Sequence, residues 1–93
     1  MVPTRNRYGI IGPIHPEEMT REAIYKKIAD SPLTKDAASK DPRYAVLTNC
    51  TYDGLCYNAA ETQDLLAQSS PRVHFDEAWY GYARFYPIYA DHY

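Results

Sequence analysis

Residues 44–76 read YAVLTNCTYDGLCYNAAETQDLLAQSSPRVHFD, and this stretch decides the fold. The apolar runs at 44–48 and 72–76 are bounded by turn-forming residues and predict two strands buried on both faces. Between them, Asn58 with Glu61 three residues later is typical of a helix start, and Pro71 follows the helix end. Strand, helix and strand in so short a stretch predict one right-handed crossover with parallel strands. Because two parallel strands do not make a stable sheet, we expect part of a doubly wound, mostly parallel α/β sheet.

The residues before this stretch extend the alternation of strands and helices toward the N-terminus. Residues 7–16, RYGIIGPIHP, predict an extended segment that leads into a turn. Pro16 suits the first position of a helix, acidic residues follow it, and apolar residues then recur at helical spacing, so residues 16–30 predict an amphipathic helix. Residues 31–42 are polar and predict a surface loop with at most a short helical turn. The predicted order is therefore β-α-β-α-β.

Composition excludes several classes of protein. Ten basic and twelve acidic side chains give a net charge of -2, which provides no basic surface for nucleic acid. No stretch approaches the roughly 20 apolar residues of a membrane span, and the first residues, MVPTRNRYG, lack the apolar core of a signal peptide, so we expect a cytoplasmic protein without a membrane partner. Two cysteines are too few for a disulfide framework, and we expect Cys50 and Cys56 to be free thiols rather than a redox centre.

Tyrosine is unusually frequent, with ten copies, and residues 79–93 read WYGYARFYPIYADHY. So aromatic a stretch predicts packing into a core or a subunit interface. A stacking platform for single-stranded nucleic acid is disfavoured because no basic groove accompanies the rings.

Ligands of open parallel sheets bind beyond the carboxyl ends of the strands, which directs attention to residues 49–54, NCTYDG, and 76–79, DEAW. From the residues alone, a solvated acid or helix cap is the favoured interpretation of Asp76, and a simple turn that of NCTYDG. His74 within its strand is more typical of a satisfied core histidine than of a ligand. The three histidines have no carboxylate or cysteine at metal-ligand spacing, so no metal site is predicted.

Four segments together resemble one family. They are RNRYGIIGPI at 5–14, SPLTKD at 31–36, TNCTYDGLCYNA at 48–59 and HFDEAWYGYARFYPIYADHY at 74–93. In that order and spacing they closely resemble the bacterial ornithine, lysine and arginine decarboxylases of the aspartate aminotransferase-like fold, most of all the arginine-specific branch. The resemblance implies a pyridoxal 5'-phosphate (PLP) enzyme that converts arginine to agmatine and CO2 for acid resistance. It implies that residues 1–93 are an internal fragment of the large PLP domain, with no complete domain, and that the parent is a homo-oligomer of dimers gathered into a decamer.

The resemblance also implies roles for individual residues. Asp76 matches the acid that partners the pyridine nitrogen of PLP, Ala78 matches the small residue against one face of the ring, and Trp79 matches an aromatic residue that lines the same pocket. Thr51 and Asp53 match a loop on the active-site side, without an assigned contact.

Other parts of the family's machinery are not among these residues. The lysine that bonds the cofactor occurs in a Ser/Thr-x-His-Lys setting, which no lysine of this sequence matches. The phosphate-binding turn and the histidine that stacks on the second ring face belong to segments upstream of the matched region. We therefore expect no catalytic residue among residues 1–93 and an inactive isolated chain. Lysine and ornithine remain alternative substrates of the parent, and a non-enzymatic chain that binds the intact enzyme remains the alternative function.

Overall fold

The computed structural model describes Met1 and residues 3–92, which form two α-helices and two strands. Helix α1 spans Arg21–Asp30, strand β1 Ala45–Thr48, helix α2 Ala59–Ala67 and strand β2 Val73–Asp76. Short 3-10 helices lie at Pro16–Met19, Lys35–Ala37, Gly81–Phe85 and Pro87–His92. The strand, helix and strand predicted from residues 44–76 are present, which confirms the α/β class.

The two strands pair in parallel, with Ala45 opposite Val73 and Thr48 opposite Asp76. The ladder continues past β1, where the Asn49 N–H donates to the Asp76 carbonyl at 2.9 Å. Both strands therefore end at the same edge, which places the residues after β1 beside those after β2.

Helix α2 begins where the sequence predicts. The Asn58 side chain accepts a hydrogen bond from the Glu61 N–H at 3.1 Å, which satisfies one of the free donors of the first turn. The helix then places Leu66 in the core against Met19 and Leu47, and all three side chains are buried. This small cluster lies between the crossover helix and one face of the sheet.

The single helix predicted over residues 16–30 is wrong, because the chain is extended at Thr20, with φ -65° and ψ 154°. Pro16–Met19 form one 3-10 turn, and the Thr20 hydroxyl then accepts from the Ala23 N–H at 3.3 Å as the N-cap of α1. A threonine competes well for a cap position, and here that capping interrupts the periodic apolar pattern.

The leading strand of the predicted β-α-β-α-β order is also absent from the parallel sheet. Arg5 instead forms an antiparallel bridge with Ile11, and the Thr4 N–H donates to the Pro13 carbonyl at 2.9 Å. Gly9, at φ 78°, makes the turn between the two arms. Because this segment pairs with its own neighbours, the sheet of the described residues contains β1 and β2 only.

The expected burial of both sheet faces is not found. Leu47 packs on the core, whereas Val46 is 53% exposed. His74 is exposed as well, so it is not a core histidine, and its Nδ1 lies 2.6 Å from the Tyr44 hydroxyl. One face of the sheet is thus covered by this chain's helices and the other is open.

The described side chains of the aromatic segment, residues 79–89, contribute little to the hydrophobic core. Tyr80 makes edge contacts with the rings of Tyr82 and Tyr89, at centroid distances of 5.7 and 5.5 Å. Phe85 is 87% exposed, and Tyr82 and Ile88 are exposed too. None of the helices in the described part of the chain is long and apolar enough to cross a membrane.

We expect the isolated 93-residue polypeptide to be loosely ordered or to self-associate at micromolar concentration. Its accessible surface is 6952 Å², whereas a folded monomer of 10.7 kDa exposes about 5,500 Å². The radius of gyration is 14.5 Å, against about 12 Å for a compact domain of this length. Sedimentation velocity and a thermal melt followed by circular dichroism check this. A sharp cooperative melt of a monomer would show that the small core suffices.

Candidate functional site

A pocket of about 410 Å³ lies at the carboxyl ends of the two strands. It is lined by Thr48, Cys50, Thr51, Tyr52, Asp76, Ala78 and Trp79. A larger depression of about 670 Å³ lies at the opposite ends of the strands, beside Tyr44 and Arg72. Ligands of parallel sheets bind at the carboxyl ends, so we take the first pocket as the candidate site.

The three cofactor-binding residues expected from the family resemblance meet in this pocket. Asp76 is the last residue of β2, and one carboxylate oxygen accepts a hydrogen bond from the Ala78 N–H at 3.2 Å. An aspartate that bonds to a backbone N–H two residues on stabilises a tight turn. That turn brings the Ala78 methyl and the Trp79 ring to the same pocket wall as the carboxylate.

The opposite wall is the loop between β1 and α2. The Thr51 N–H donates to the Leu55 carbonyl at 3.0 Å, and the Thr51 hydroxyl accepts from the Leu55 N–H at 3.3 Å. Thr51 therefore lines the pocket but uses its hydroxyl to close the loop. Asp53 is exposed at the loop tip, next to Gly54 at φ 78°, and does not line the pocket.

The two walls touch through their aromatic rings. Tyr52 from the loop and Trp79 from the turn after β2 have ring centroids 5.3 Å apart, with planes inclined at 58°. Both rings remain largely exposed in this chain. They form an apolar rim on one side of the Asp76 carboxylate.

Asn49 supports this site without lining the pocket, and the sequence indicates its segment but not its role. Its side chain, 1% exposed, donates from Nδ2 to Glu77 Oε1 at 2.8 Å and accepts from the Tyr57 N–H at 2.8 Å. Together with its backbone bond to the Asp76 carbonyl, Asn49 joins the end of β1, the end of β2 and the approach to α2. The sequence marks Asn49 as part of a turn, but its partners lie 8 and 28 residues away, and only the folded chain shows them.

The other reactive side chains of the chain are its thiols and its lysines. Both cysteines are free thiols, as predicted. The lysines lie in α1 and in the 31–42 loop, and none lines the candidate pocket. The described residues contain no cluster of three or more metal-ligating side chains.

The fold and the pocket together define a piece of a parallel α/β sheet with a candidate ligand site at its strand ends. Comparison with known proteins then gives the family. The family model described as "Orn/Lys/Arg decarboxylase, major domain" matches residues 1–93. The chain belongs to this family, which confirms the resemblance seen in the sequence.

Individual relatives agree with this assignment. The chain is 72% identical over 93 residues to the biodegradative arginine decarboxylase of Escherichia coli K12, and 48% identical over 93 residues to the lysine decarboxylase LdcA of Pseudomonas aeruginosa. These matches cover 100% of this chain but 12% of each relative. The crystal structure of the Francisella novicida lysine decarboxylase LdcF matches 98% of this chain and 12% of that chain, with 46% identity and a TM-score of 0.79.

Proposed function

We propose that this chain forms part of the PLP-binding domain of a decarboxylase that converts L-arginine to agmatine and CO2. One observation carries the proposal: Asp76, Ala78 and Trp79 line a single pocket at the strand ends of a chain in this family. The 72% identity to an arginine decarboxylase, against 48% to a lysine decarboxylase and 34% to an ornithine decarboxylase, favours arginine as the substrate. We also infer that the parent is a homo-oligomer, since the exposed rings of residues 79–89 provide apolar area for contacts between subunits. A cytoplasmic location is part of the same proposal and rests on the family assignment.

The residues present fit the cofactor. A volume of about 410 Å³ falls within the range of about 300–1,000 Å³ typical of small-molecule sites. The wall combines a carboxylate, a methyl group and two aromatic rings, which suits a flat heteroaromatic ring with one basic nitrogen. When bound, PLP supplies a protonated ring that accepts the electron density left on the substrate when CO2 departs.

The residues of this chain then have separate tasks. The Asp76 carboxylate favours a proton on the ring nitrogen, because an opposite charge nearby stabilises the charged form. The Ala78 N–H holds that carboxylate at 3.2 Å, and the Ala78 methyl is small enough to let a ring approach closely. Trp79 and Tyr52 give the carboxylate an apolar rim on one side, and a less polar surrounding strengthens the electrostatic contact. Asn49 fixes the two strand ends that carry these groups.

The test is a pair of hybrid enzymes. In the arginine hybrid, this chain replaces the matching 93 residues of the E. coli biodegradative arginine decarboxylase, and in the lysine hybrid it replaces those of LdcA. We expect the arginine hybrid to retain PLP and to release CO2 from arginine, whereas the lysine hybrid loses more of its own activity, because more of the chain's contacts with its surroundings change. The 93-residue polypeptide alone serves as the control, and it should lose PLP on dialysis and release no CO2.

Two results would contradict the proposal. An arginine hybrid that is folded but does not retain PLP would remove the cofactor assignment. A lysine hybrid that works better on lysine than the arginine hybrid works on arginine would make lysine the substrate of the parent.

A further inference from the structure

Tyr57 connects two parts of the chain that are distant in sequence. Its hydroxyl accepts a hydrogen bond from the Ile14 N–H at 2.9 Å, across 43 positions of the chain. Its own N–H donates to the side-chain oxygen of Asn49 at 2.8 Å. The ring between these two contacts packs against the hydrophobic core. Tyr57 therefore links the N-terminal hairpin, residues 4–13, to the end of β1.

The contact at Ile14 is anchored by the base of the N-terminal hairpin. There the Thr4 N–H donates to the Pro13 carbonyl at 2.9 Å, and the Gly12 N–H donates to the Thr4 carbonyl at 2.8 Å. The two arms are so close that a Cβ at Gly12 would clash with the Thr4 hydroxyl. Ile14 follows directly and packs against the core. The Tyr57 hydroxyl thus bonds to a backbone group whose position the hairpin base fixes.

The contact at Asn49 continues to the candidate pocket. The Asn49 N–H donates to the Asp76 carbonyl at 2.9 Å, and its side chain donates to Glu77 Oε1 at 2.8 Å. The Asp76 carboxylate in turn accepts from the Ala78 N–H at 3.2 Å. An unbroken series of hydrogen bonds therefore runs from the hairpin base through Tyr57 and Asn49 to the residue that carries the carboxylate of the pocket.

We propose that Tyr57 is a positioning residue of this pocket, which holds Asp76 in place through Asn49 and ties that position to the N-terminal hairpin. Tyr57 is not among the residues that line the pocket, so it acts through its neighbour rather than on a ligand. The inference rests on the proposed function, because the position of the carboxylate matters to a reaction only if the cofactor meets it there. The series of hydrogen bonds itself does not require the cofactor.

Tyr57→Phe in the arginine hybrid, prepared without PLP, tests the positioning alone. Phenylalanine keeps the ring against the core and removes only the hydroxyl that accepts from the Ile14 N–H. We expect the amide protons of residues 73–79 to exchange about 2- to 12-fold faster, which corresponds to the net contribution of one ordinary hydrogen bond. Hydrogen exchange followed by mass spectrometry measures this. Equilibrium dialysis with added PLP should then show binding that is weaker by a similar factor.

Two further variants show whether the hydroxyl acts through Asn49. Tyr44→Phe removes a different tyrosine hydroxyl, which contacts His74 Nδ1 near the opposite ends of the strands, and should leave exchange at residues 73–79 unchanged. Tyr57→Phe combined with Asn49→Ala should lose no more protection at residues 73–79 than Asn49→Ala alone. A hydroxyl that only stabilised the fold would give losses that add, because independent sites are additive.

Unchanged exchange at residues 73–79 in Tyr57→Phe would overturn the proposal, and so would additive losses in the double variant. A folded, unsubstituted hybrid that retains no PLP would contradict the proposed function instead. The exchange rates are measured without cofactor, so they decide in that case too whether Tyr57 positions Asp76.

Discussion

Replacing Asp76 with alanine in the arginine hybrid is expected to lower turnover by about 10²–10³-fold, the loss typical of removing one preorganised electrostatic group, or about 3–4 kcal/mol. Asp76 ends β2 in the wall of the candidate pocket, and its carboxylate is held by the Ala78 N–H at 3.2 Å. Under the proposed function, removing this charge takes away the group that would favour a proton on the ring nitrogen of PLP. The measurement is kcat for CO2 release from arginine, with retained PLP quantified in the same samples.

Two further variants separate charge from structure. Asp76→Asn keeps an oxygen that can accept from the Ala78 N–H but removes the charge, so it should lose nearly as much turnover as Asp76→Ala. Asp64→Ala removes an equivalent carboxylate from the exposed surface of α2, outside the pocket, and should leave turnover unchanged. Near-normal turnover of Asp76→Ala would end the assigned role. Normal turnover of Asp76→Asn alone would reduce that role to stabilising the turn.

The features that the sequence predicts well are those set by local chemistry. The cap of α2 depends on a side chain and an N–H only three residues apart, Asn58 and Glu61, so the spacing alone predicts it. Strand ends and turns are likewise determined by residues that are neighbours in the sequence. The family resemblance predicts the grouping of Asp76, Ala78 and Trp79, and the turn after β2 brings the three residues to one pocket.

The features that the sequence does not predict depend on competition or on distance. Thr20 could continue a helix or cap one, and the outcome depends on how residues 16–19 pack, with Met19 in the core. The segment around Arg5 and Ile11 could pair with a sheet or with itself, and no local signal decides between these. Asn49 has the most distant partners of the site, so its role becomes visible only when β1 and β2 lie side by side.

Asn49→Ala is therefore expected to loosen the strand ends more than any other single change outside the hydrophobic core. The substitution leaves Glu77 Oε1 and the Tyr57 N–H without their present partner in a region where Asn49 itself is 1% exposed. An unpaired buried polar group costs about 1–3 kcal/mol. In the arginine hybrid, amide protons of residues 49–57 and 73–77 should exchange about 5- to 150-fold faster, relative to their intrinsic rates. Unchanged protection at Tyr57 would show that the side-chain bond contributes nothing.

Asn49→Asp tests the same contact through its pH dependence. The new side chain keeps an acceptor for the Tyr57 N–H, but it places a second carboxylate at the position that now donates to Glu77 at 2.8 Å. Two like charges at that distance raise the pKa of the introduced carboxyl in the folded state above its unfolded value. The folded state then binds the proton more tightly, so the loss of stability is fully present above the folded pKa and disappears as the pH falls below the unfolded pKa. Protection of the amide protons from exchange, lost at pH 7, should therefore be partly recovered near pH 5 in Asn49→Asp. No recovery is expected in Asn49→Ala, because only a carboxyl can hold the shared proton that restores the donor to Glu77. An equal loss at both pH values in the two variants would mean that the Asn49–Glu77 hydrogen bond does not hold the strand ends together.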